Sequence, residues 1–212
     1  MKLKDEIIVL DLEATTNQVD DTKPNYQTND FIIEIGAVLL NQSLEVVSTF
    51  QHLVKPVDPI TPFIHKLTGI SPEMVADQPD WSIVGKLFEN WAKEHSKNFK
   101  NIRLAAWGNY FDMPLLRKAY QYYQMPFNFS GTMIDVKSVA FLWCALSGTG
   151  THKIALEDVA KAMKIAPDGN YHRALTDAMV EANILAKAIL DLRDGHFLPN
   201  ADGKPFQYIK IE

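Results

Sequence analysis

Two acidic side chains near the start of the chain are spaced as metal ligands could be. Asp11 and Glu13 follow the apolar run Ile7–Leu10, which favours a short buried strand. Residues two apart on a strand point to the same face, so both carboxylates would repel each other and lose hydration unless a cation compensated. Oxygen ligands of this kind favour Mg²⁺ or Mn²⁺. Alone the pattern is weak, because Glu13 could instead point into solvent where the strand ends.

Three further residues could take part in the same chemistry. Asp112 follows the apolar stretch Leu104–Trp107, where a strand passes into a helix, although Asp is also a favoured helix N-cap. His172 and Asp177 would point about 140° apart on one continuous helix. The turn Asp168–Asn170 removes this difficulty, since His172 can precede the helix while Asp177 lies in its first turns. The whole set is then four acids and one histidine, each at the end of a strand or helix.

Other catalytic chemistries have no counterpart in the sequence. It contains no Gly-x-Ser-x-Gly elbow for a serine nucleophile and no Gly-x-x-x-x-Gly-Lys phosphate loop. The single cysteine, Cys144, lies in the apolar segment Ala140–Leu146, which favours a small core residue over a thiol nucleophile. One cysteine also excludes a zinc site that needs two.

The five residues need a sheet whose strand ends they can share. Apolar and β-branched runs predict strands at Ile7–Leu12, Phe31–Leu40, Leu44–Val54, Ile102–Trp107 and Thr132–Val136. Helical spacing and capping signals predict helices from Ser71-Pro72 onward and over Trp81–His95, Met113–Tyr123, Ser138–Leu146, Leu156–Met163 and Arg173–Leu192. The short turn Asn41–Ser43 makes the second and third strands an antiparallel hairpin, and helices join the later strands. The prediction is an α/β fold with a mixed sheet covered by helices.

Composition limits the classes of protein further. The 212 residues, 47% of them hydrophobic, suit one domain, which we place at 1–193, with 194–212 as a tail. A net charge of −5 is unlike a protein that coats nucleic acid through its overall charge, so such binding would need a local patch or a metal. The lone cysteine and the short N-terminal apolar stretch predict a cytoplasmic protein without a membrane span.

The acidic motifs match a known pattern. Asp11-Leu-Glu13, the segment at Asp112 and His172-x-x-x-x-Asp177 resemble, in order, the three exonuclease motifs of the DnaQ-like superfamily, histidine (DEDDh) subtype. The likeness spans about Ile7 to Leu190. Further features resemble the ERI-1-like branch, whose members trim RNA 3′ ends; they are Glu13-Ala-Thr15, Ile32–Ala37, Leu67–Ile70 with Trp91, and Trp107-Gly108. The chain departs from that pattern at Thr16, often a cysteine, at Thr176, often an acid, and by one extra residue between Gly108 and Asp112.

The resemblance implies an RNase H-like fold with a mixed five-stranded sheet, and a metal-dependent 3′→5′ exonuclease that acts on single-stranded RNA or DNA. Asp11, Glu13 and Asp177 would hold one of two divalent cations, Mg²⁺ or Mn²⁺. Asp11 would also reach the second cation, with Asp112 helping through water. His172 would be the general base that deprotonates the attacking water. Histidine suits this role because it titrates near neutral pH.

Substrate contacts are expected at a second group of residues. By resemblance, the backbone at Ala14 and Thr15 approaches the terminal nucleotide, and the segment that begins at Leu67 packs on its base. Phe111, an aromatic residue beside an acid, could stack on a base, and burial in the core is equally compatible with its position.

Two other functions are compatible with the same motifs. The chain could be a proofreading exonuclease subunit of a DNA polymerase, with the 194–212 tail as a partner contact. It could also be an inactive module that only binds nucleic acid, although the presence of all five site residues argues against this. The sequence does not indicate protein partners.

Overall fold

The computed structural model describes residues 2–15, 30–108, 110–150 and 154–193. The predicted tail at 194–212 and nearly all of the predicted loop at 17–30 lie outside these residues. No helix in the described ranges is both long enough and apolar enough to cross a membrane.

Five strands form one mixed sheet in the order β3-β2-β1-β4-β5. Their bounds are Ile7–Ala14 (β1), Ile32–Leu40 (β2), Val46–Leu53 (β3), Arg103–Ala106 (β4) and Met133–Asp135 (β5). β1, β2 and β3 are antiparallel neighbours, whereas β4 runs parallel to β1 and β5 parallel to β4. The predicted mixed sheet and its antiparallel hairpin are confirmed.

Helices cover both faces of this sheet. Their bounds are Pro62–Thr68 (α1), Pro72–Ala76 (α2), Trp81–His95 (α3), Asp112–Tyr122 (α4), Val136–Ser147 (α5), Leu156–Ala162 (α6) and Ala174–Arg193 (α7), with a 3-10 turn at Phe99–Asn101. Side-chain caps define several starts: Asp80 accepts a hydrogen bond from the Ser82 amide at α3, and Asp135 accepts bonds from two amides at α5.

α1 is the helix that the sequence reasoning missed. It has only seven residues, too few for a clear apolar period. Its termini nevertheless carry capping signals. Thr61 accepts a hydrogen bond from the Ile64 amide, Pro62 occupies the first turn, and Gly69 ends the helix in the left-handed conformation.

The side chains of β1 alternate between two cores. Ile8, Leu10 and Leu12 are buried in a core that includes Phe88 of α3 and Leu116 of α4. Ile7 and Val9 point to the opposite face, where α5, α6 and α7 cover the sheet. Because strand alternation continues past Val9, Asp11 and Glu13 also face the α7 side. On this face of β1, apolar residues are therefore followed by the two acids.

α7 approaches β2 closely at Gly36, the residue paired with Asp11 in the sheet. A Cβ atom at Gly36 would lie 2.1 Å from the backbone carbon of Ala174 and 2.1 Å from the backbone nitrogen of Leu175. Atoms cannot approach so closely, so the first turn of α7 rests on β2 only because this residue has no side chain. The start of α7 therefore lies beside the position in the sheet where Gly36 pairs with Asp11.

We expect Gly36→Ala to destabilise the protein, because its new methyl group would meet backbone atoms that cannot rotate away. Overpacking of this kind costs about 1–3 kcal/mol, and a backbone obstruction should lie at the upper end of that range. Denaturant unfolding measures the loss. The matched control is Gly131→Ala, whose Cβ would meet nothing within 4 Å. Equal stability of the two variants would contradict the close approach.

Candidate active site

A buried carboxylate in β2 anchors the start of α7. The Glu34 side chain is fully buried and accepts hydrogen bonds from Arg173 Nε at 3.0 Å and Arg173 Nη2 at 2.6 Å. It also accepts bonds from the Ala174 amide at 3.0 Å and from Gln51 Nε2 at 2.9 Å. These donors compensate the buried charge and fix the backbone directly after His172. Sequence reasoning assigned Glu34 no role, although an acid inside the apolar run of β2 was a visible signal.

His172 and Asp177 meet Glu13 in front of this anchor. One potential ligand atom from each of the three side chains lies within 4.8 Å of the others. His172 precedes α7 and Asp177 lies in its first turn, as the sequence predicts. His172 has a left-handed backbone with φ of 62°, and its amide donates a 2.9 Å hydrogen bond to Asp177 Oδ2. The bond holds the histidine in a conformation that non-glycine residues rarely adopt.

Asp112 lies next to the edge of β1 that borders β4, opposite the edge that pairs with β2. Pairing between β1 and β4 ends at Val9 and Ala105. Beyond that point the Leu12 amide donates a 3.0 Å hydrogen bond to Asp112 Oδ1, and Asp112 is only 4% exposed. The alternative interpretation of Asp112 as a helix N-cap is wrong, because it is the first residue of α4 and Phe111 takes the cap position. Asp112 therefore binds the backbone of β1 at a point where β4 no longer pairs with it.

Burial raises the pKa of every acid in the set, and repulsion among these acids adds to the rise at Asp11 and Glu13. The pKa of Glu13 rises from 4.5 to about 8, mainly through burial and then through the charges of Asp177 and Glu34. Burial raises the pKa of Asp112 from 3.8 to about 7, although the Leu12 amide opposes this rise. The pKa of Asp11 lies well above its ordinary value through burial and then through the charge of Asp112. Burial also raises the pKa of Asp177.

These acids fit a divalent cation. Asp177 Oδ1 is buried and has no hydrogen-bond partner among the described residues. A cation would supply the missing partner and offset the repulsion that raises the pKa values. The available ligand atoms are mainly carboxylate oxygens, which suit Mg²⁺ or Mn²⁺ better than softer metals.

Sequence reasoning missed one acid of this region, Glu181. It follows Asp177 by four residues on α7, and its carboxyl group is fully buried. Its charge is one of those that raise the pKa of Asp11. The spacing of four was a usable signal, because residues i and i+4 lie on the same helix face.

The predicted substrate residues differ in their availability. Ala14 and Thr15 are buried, and the Thr15 amide donates a 2.9 Å hydrogen bond to the Phe31 carbonyl. The Thr15 hydroxyl accepts a 3.0 Å bond from the Phe31 amide. Phe111 packs partly buried against the core. Leu67, on α1, is 41% exposed and remains the most accessible of the four.

The fold is shared with solved nucleases. The crystallographic structure of the nuclease domain of 3′hExo, a DEDDh family member bound to rAMP, superposes with a TM-score of 0.73. The match has 24% sequence identity and covers 90% of this chain and 93% of the other. The sheet flanked by helices is thus the RNase H-like exonuclease fold. The RNase T exonuclease family matches residues 8–185, and the chain belongs to this family.

Two curated relatives are longer than this chain. A DNA polymerase III of PolC type from Caldanaerobacter subterraneus subsp. tengcongensis is 28% identical over 193 residues, which are 91% of this chain and 12% of the polymerase. The ERI1 exoribonuclease 3 of Homo sapiens is 31% identical over 186 residues, which are 84% of this chain and 52% of that protein. The chain thus spans at most about half the length of these two relatives.

We expect the metal-free protein to lose stability as the pH rises from about 4.5 to about 8. In that interval folded Glu13 keeps a proton that it loses in the unfolded chain, so rising pH favours unfolding. Asp112 acts in the same direction between its ordinary value of 3.8 and about 7. Thermal unfolding in chelator across this range measures the effect. Glu13→Gln should flatten the slope, and a wild-type stability that increases with pH would contradict the assignment.

Proposed function

We propose that this chain is a metal-dependent 3′→5′ exonuclease that removes nucleotides one at a time from the 3′ end of single-stranded RNA or DNA. The observation that carries the proposal is the meeting of Glu13, His172 and Asp177 near the partly buried Asp11 and the buried Asp112. Membership of an exonuclease family supports the same reaction.

Two divalent cations, Mg²⁺ or Mn²⁺, would be held by the acids. Asp11, Glu13 and Asp177 would hold the first, and Asp11 would also reach the second, with Asp112 helping through water. When bound, such cations neutralise phosphate charge and ease deprotonation of the attacking water. Without them, the cluster of acids would repel a polyanionic substrate. The dependence on metal thus also explains how a chain of net charge −5 acts on nucleic acid.

His172 accepts the proton of the attacking water. Its side chain is exposed beside Glu13 and Asp177, so both substrate and solvent can reach it. The hydrogen bond from its own amide to Asp177 fixes the backbone that carries the ring. In the reaction the water oxygen bonds to phosphorus and the bond from phosphorus to the 3′ oxygen breaks. The leaving 3′ oxygen then takes up a proton.

The substrate class is a single-stranded nucleic acid. One structural neighbour is bound to rAMP, and the human relative is named an exoribonuclease, whereas the bacterial relative is a DNA polymerase. The exposed Leu67 suits packing against the terminal base, because an apolar side chain at the surface gains from covering a base. Phe111, partly buried in the core, is less available for stacking. A cytoplasmic location stays a prediction from the sequence.

We expect single-stranded RNA or DNA with a free 3′ hydroxyl to be shortened from that end in the presence of Mn²⁺. The reaction should stop in chelator. A paired end must first lose its stacking and pairing, so a blunt duplex should react more slowly. Gel analysis of matched strands labelled at the 5′ end measures the order of products and separates RNA from DNA preference. Asp11→Ala and Asp177→Ala should abolish activity without unfolding the protein, and cleavage of a circular strand would contradict the proposal.

We expect His172→Ala to reduce the turnover rate by roughly 10²–10⁴-fold, the usual contribution of general-base catalysis. Metal binding should change little, because His172 is not proposed as a ligand. The remaining activity should increase at higher pH, where hydroxide replaces the missing base. A pH–rate profile of both proteins at saturating Mn²⁺ measures this. A variant with the wild-type rate and the wild-type acidic limb would show that His172 is not the base.

A further inference from the structure

Glu181 is a buried acid to which the proposed reaction assigns no role. It lies on α7 one helical turn after Asp177 and is 0% exposed. Nearby residues on α7 are apolar and buried. Ala178 and Ala182 are also 0% exposed and belong to the core between α7 and the sheet. Glu181 therefore sits inside the protein on the helix that carries Asp177.

The side chain of Glu181 has acids near it. A carboxylate with a purely structural role would instead be surrounded by hydrogen-bond donors. Neither of its carboxylate oxygens has a hydrogen-bond partner in the described part of the chain. Burial, and then the charges of Asp112 and Asp177, raise the pKa of Glu181 well above its usual range. The Trp107 amide is close enough to the carboxyl group to oppose this rise in part, but it does not reach the geometry of a regular hydrogen bond.

Two other buried glutamates show how this chain satisfies a structural carboxylate. Glu34 is bonded by Arg173, Gln51 and the Ala174 amide. Glu89 is bonded by Lys93 and by Asn128. Glu181 lacks comparable donors among the described residues, although an unpartnered buried carboxyl group is costly. The difference indicates that its partner is a cation that the site binds.

The acids of the site divide into two groups. Glu13, His172 and Asp177 form one group of potential ligand atoms, and among the described residues this group does not include Glu181. The charges of Asp112 and Glu181 both raise the pKa of Asp11, and the charge of Asp112 also raises that of Glu181, so these three carboxyl groups lie near one another. Glu181 therefore belongs with the acids assigned to the second cation.

We propose that Glu181 is a further carboxylate of the metal centre and that, with Asp11 and Asp112, it holds the second of the two cations. This inference rests on the proposed function and adds a ligand to it. A third carboxylate increases the negative charge around that position, so the second cation should remain bound at lower metal concentrations. Its contribution should appear in metal affinity and in the stability of the metal-free protein, both measured without substrate.

The test compares Glu181→Gln and Glu181→Met with the wild type. Calorimetric titration of Mn²⁺ into chelator-stripped protein should give two binding steps for the wild type. In both variants the weaker step should lose at least about tenfold in affinity, the lower limit for loss of a residue that supports a metal site, and the tighter step should stay unchanged. In chelator, Glu181→Met should melt at a higher temperature than the wild type, because an apolar chain replaces an unpartnered carboxyl group. Glu89→Gln is the matched control and should keep both steps.

The outcomes separate this inference from the proposed function. If both Glu181 variants bind two Mn²⁺ ions as the wild type does, the inference is overturned and the exonuclease proposal stands. If Glu181→Gln fails to fold, Glu181→Met alone decides, since it preserves the volume of the side chain. A wild type that binds no Mn²⁺ would overturn both. Loss of the weaker step in a folded variant, with the control unchanged, supports the ligand role.

Discussion

The contact between the first turn of α7 and β2 is the constraint on which the site depends. Gly36 removes the side chain that would separate the two backbones, and Glu34 binds the residues that open the helix. Glu34 pairs with Glu13 in the sheet, so the anchor also sets how far α7 lies from the first acid of the site. A helix placed one residue further along would turn Asp177 by about 100° away from that acid.

The same region contains two kinds of buried charge with opposite effects on stability. Glu34 is compensated by a guanidinium group and by backbone and side-chain amides, so it strengthens the junction it occupies. Glu13, Asp11 and Asp112 repel one another, and each is disfavoured in its ionised form. The left-handed backbone of His172 adds a further cost on the order of 1 kcal/mol. The apolar cores on the two faces of the sheet must offset these costs.

Much of the fold followed from local patterns. The apolar spacing in Trp81–His95 predicted α3 with its observed bounds, and the turn at Asn41–Ser43 predicted the β2–β3 hairpin. α1 was missed because seven residues give no period, so capping residues alone mark it. The order of β4 and β5 in the sheet was likewise beyond the sequence, since strand neighbours depend on contacts between distant residues.

Sequence patterns named the residues of the candidate site but gave less of their geometry. The intervals between acids and histidine identified five residues, and the turn before α7 correctly separated His172 from Asp177. Sequence could not tell whether Asp112 caps its helix or bonds to β1, because that depends on where β4 leaves β1. It also gave no sign that the Thr15 amide is engaged by Phe31, which is a contact across an intervening segment of the chain. Catalytic roles for all five residues stay predictions.

The separation between the anchor at Glu34 and the repelling acids has an evolutionary consequence. The hydrogen bonds of the anchor favour folding, whereas the repulsion among the acids opposes it, so a neutral substitution at one acid should leave a stable domain of the same shape. Lineages released from selection for activity could therefore become binding modules without passing through an unfolded ancestor. An enzyme with this arrangement keeps its acids mainly through selection for its reaction, because their repulsion opposes folding even though Asp112 and Asp177 accept backbone hydrogen bonds.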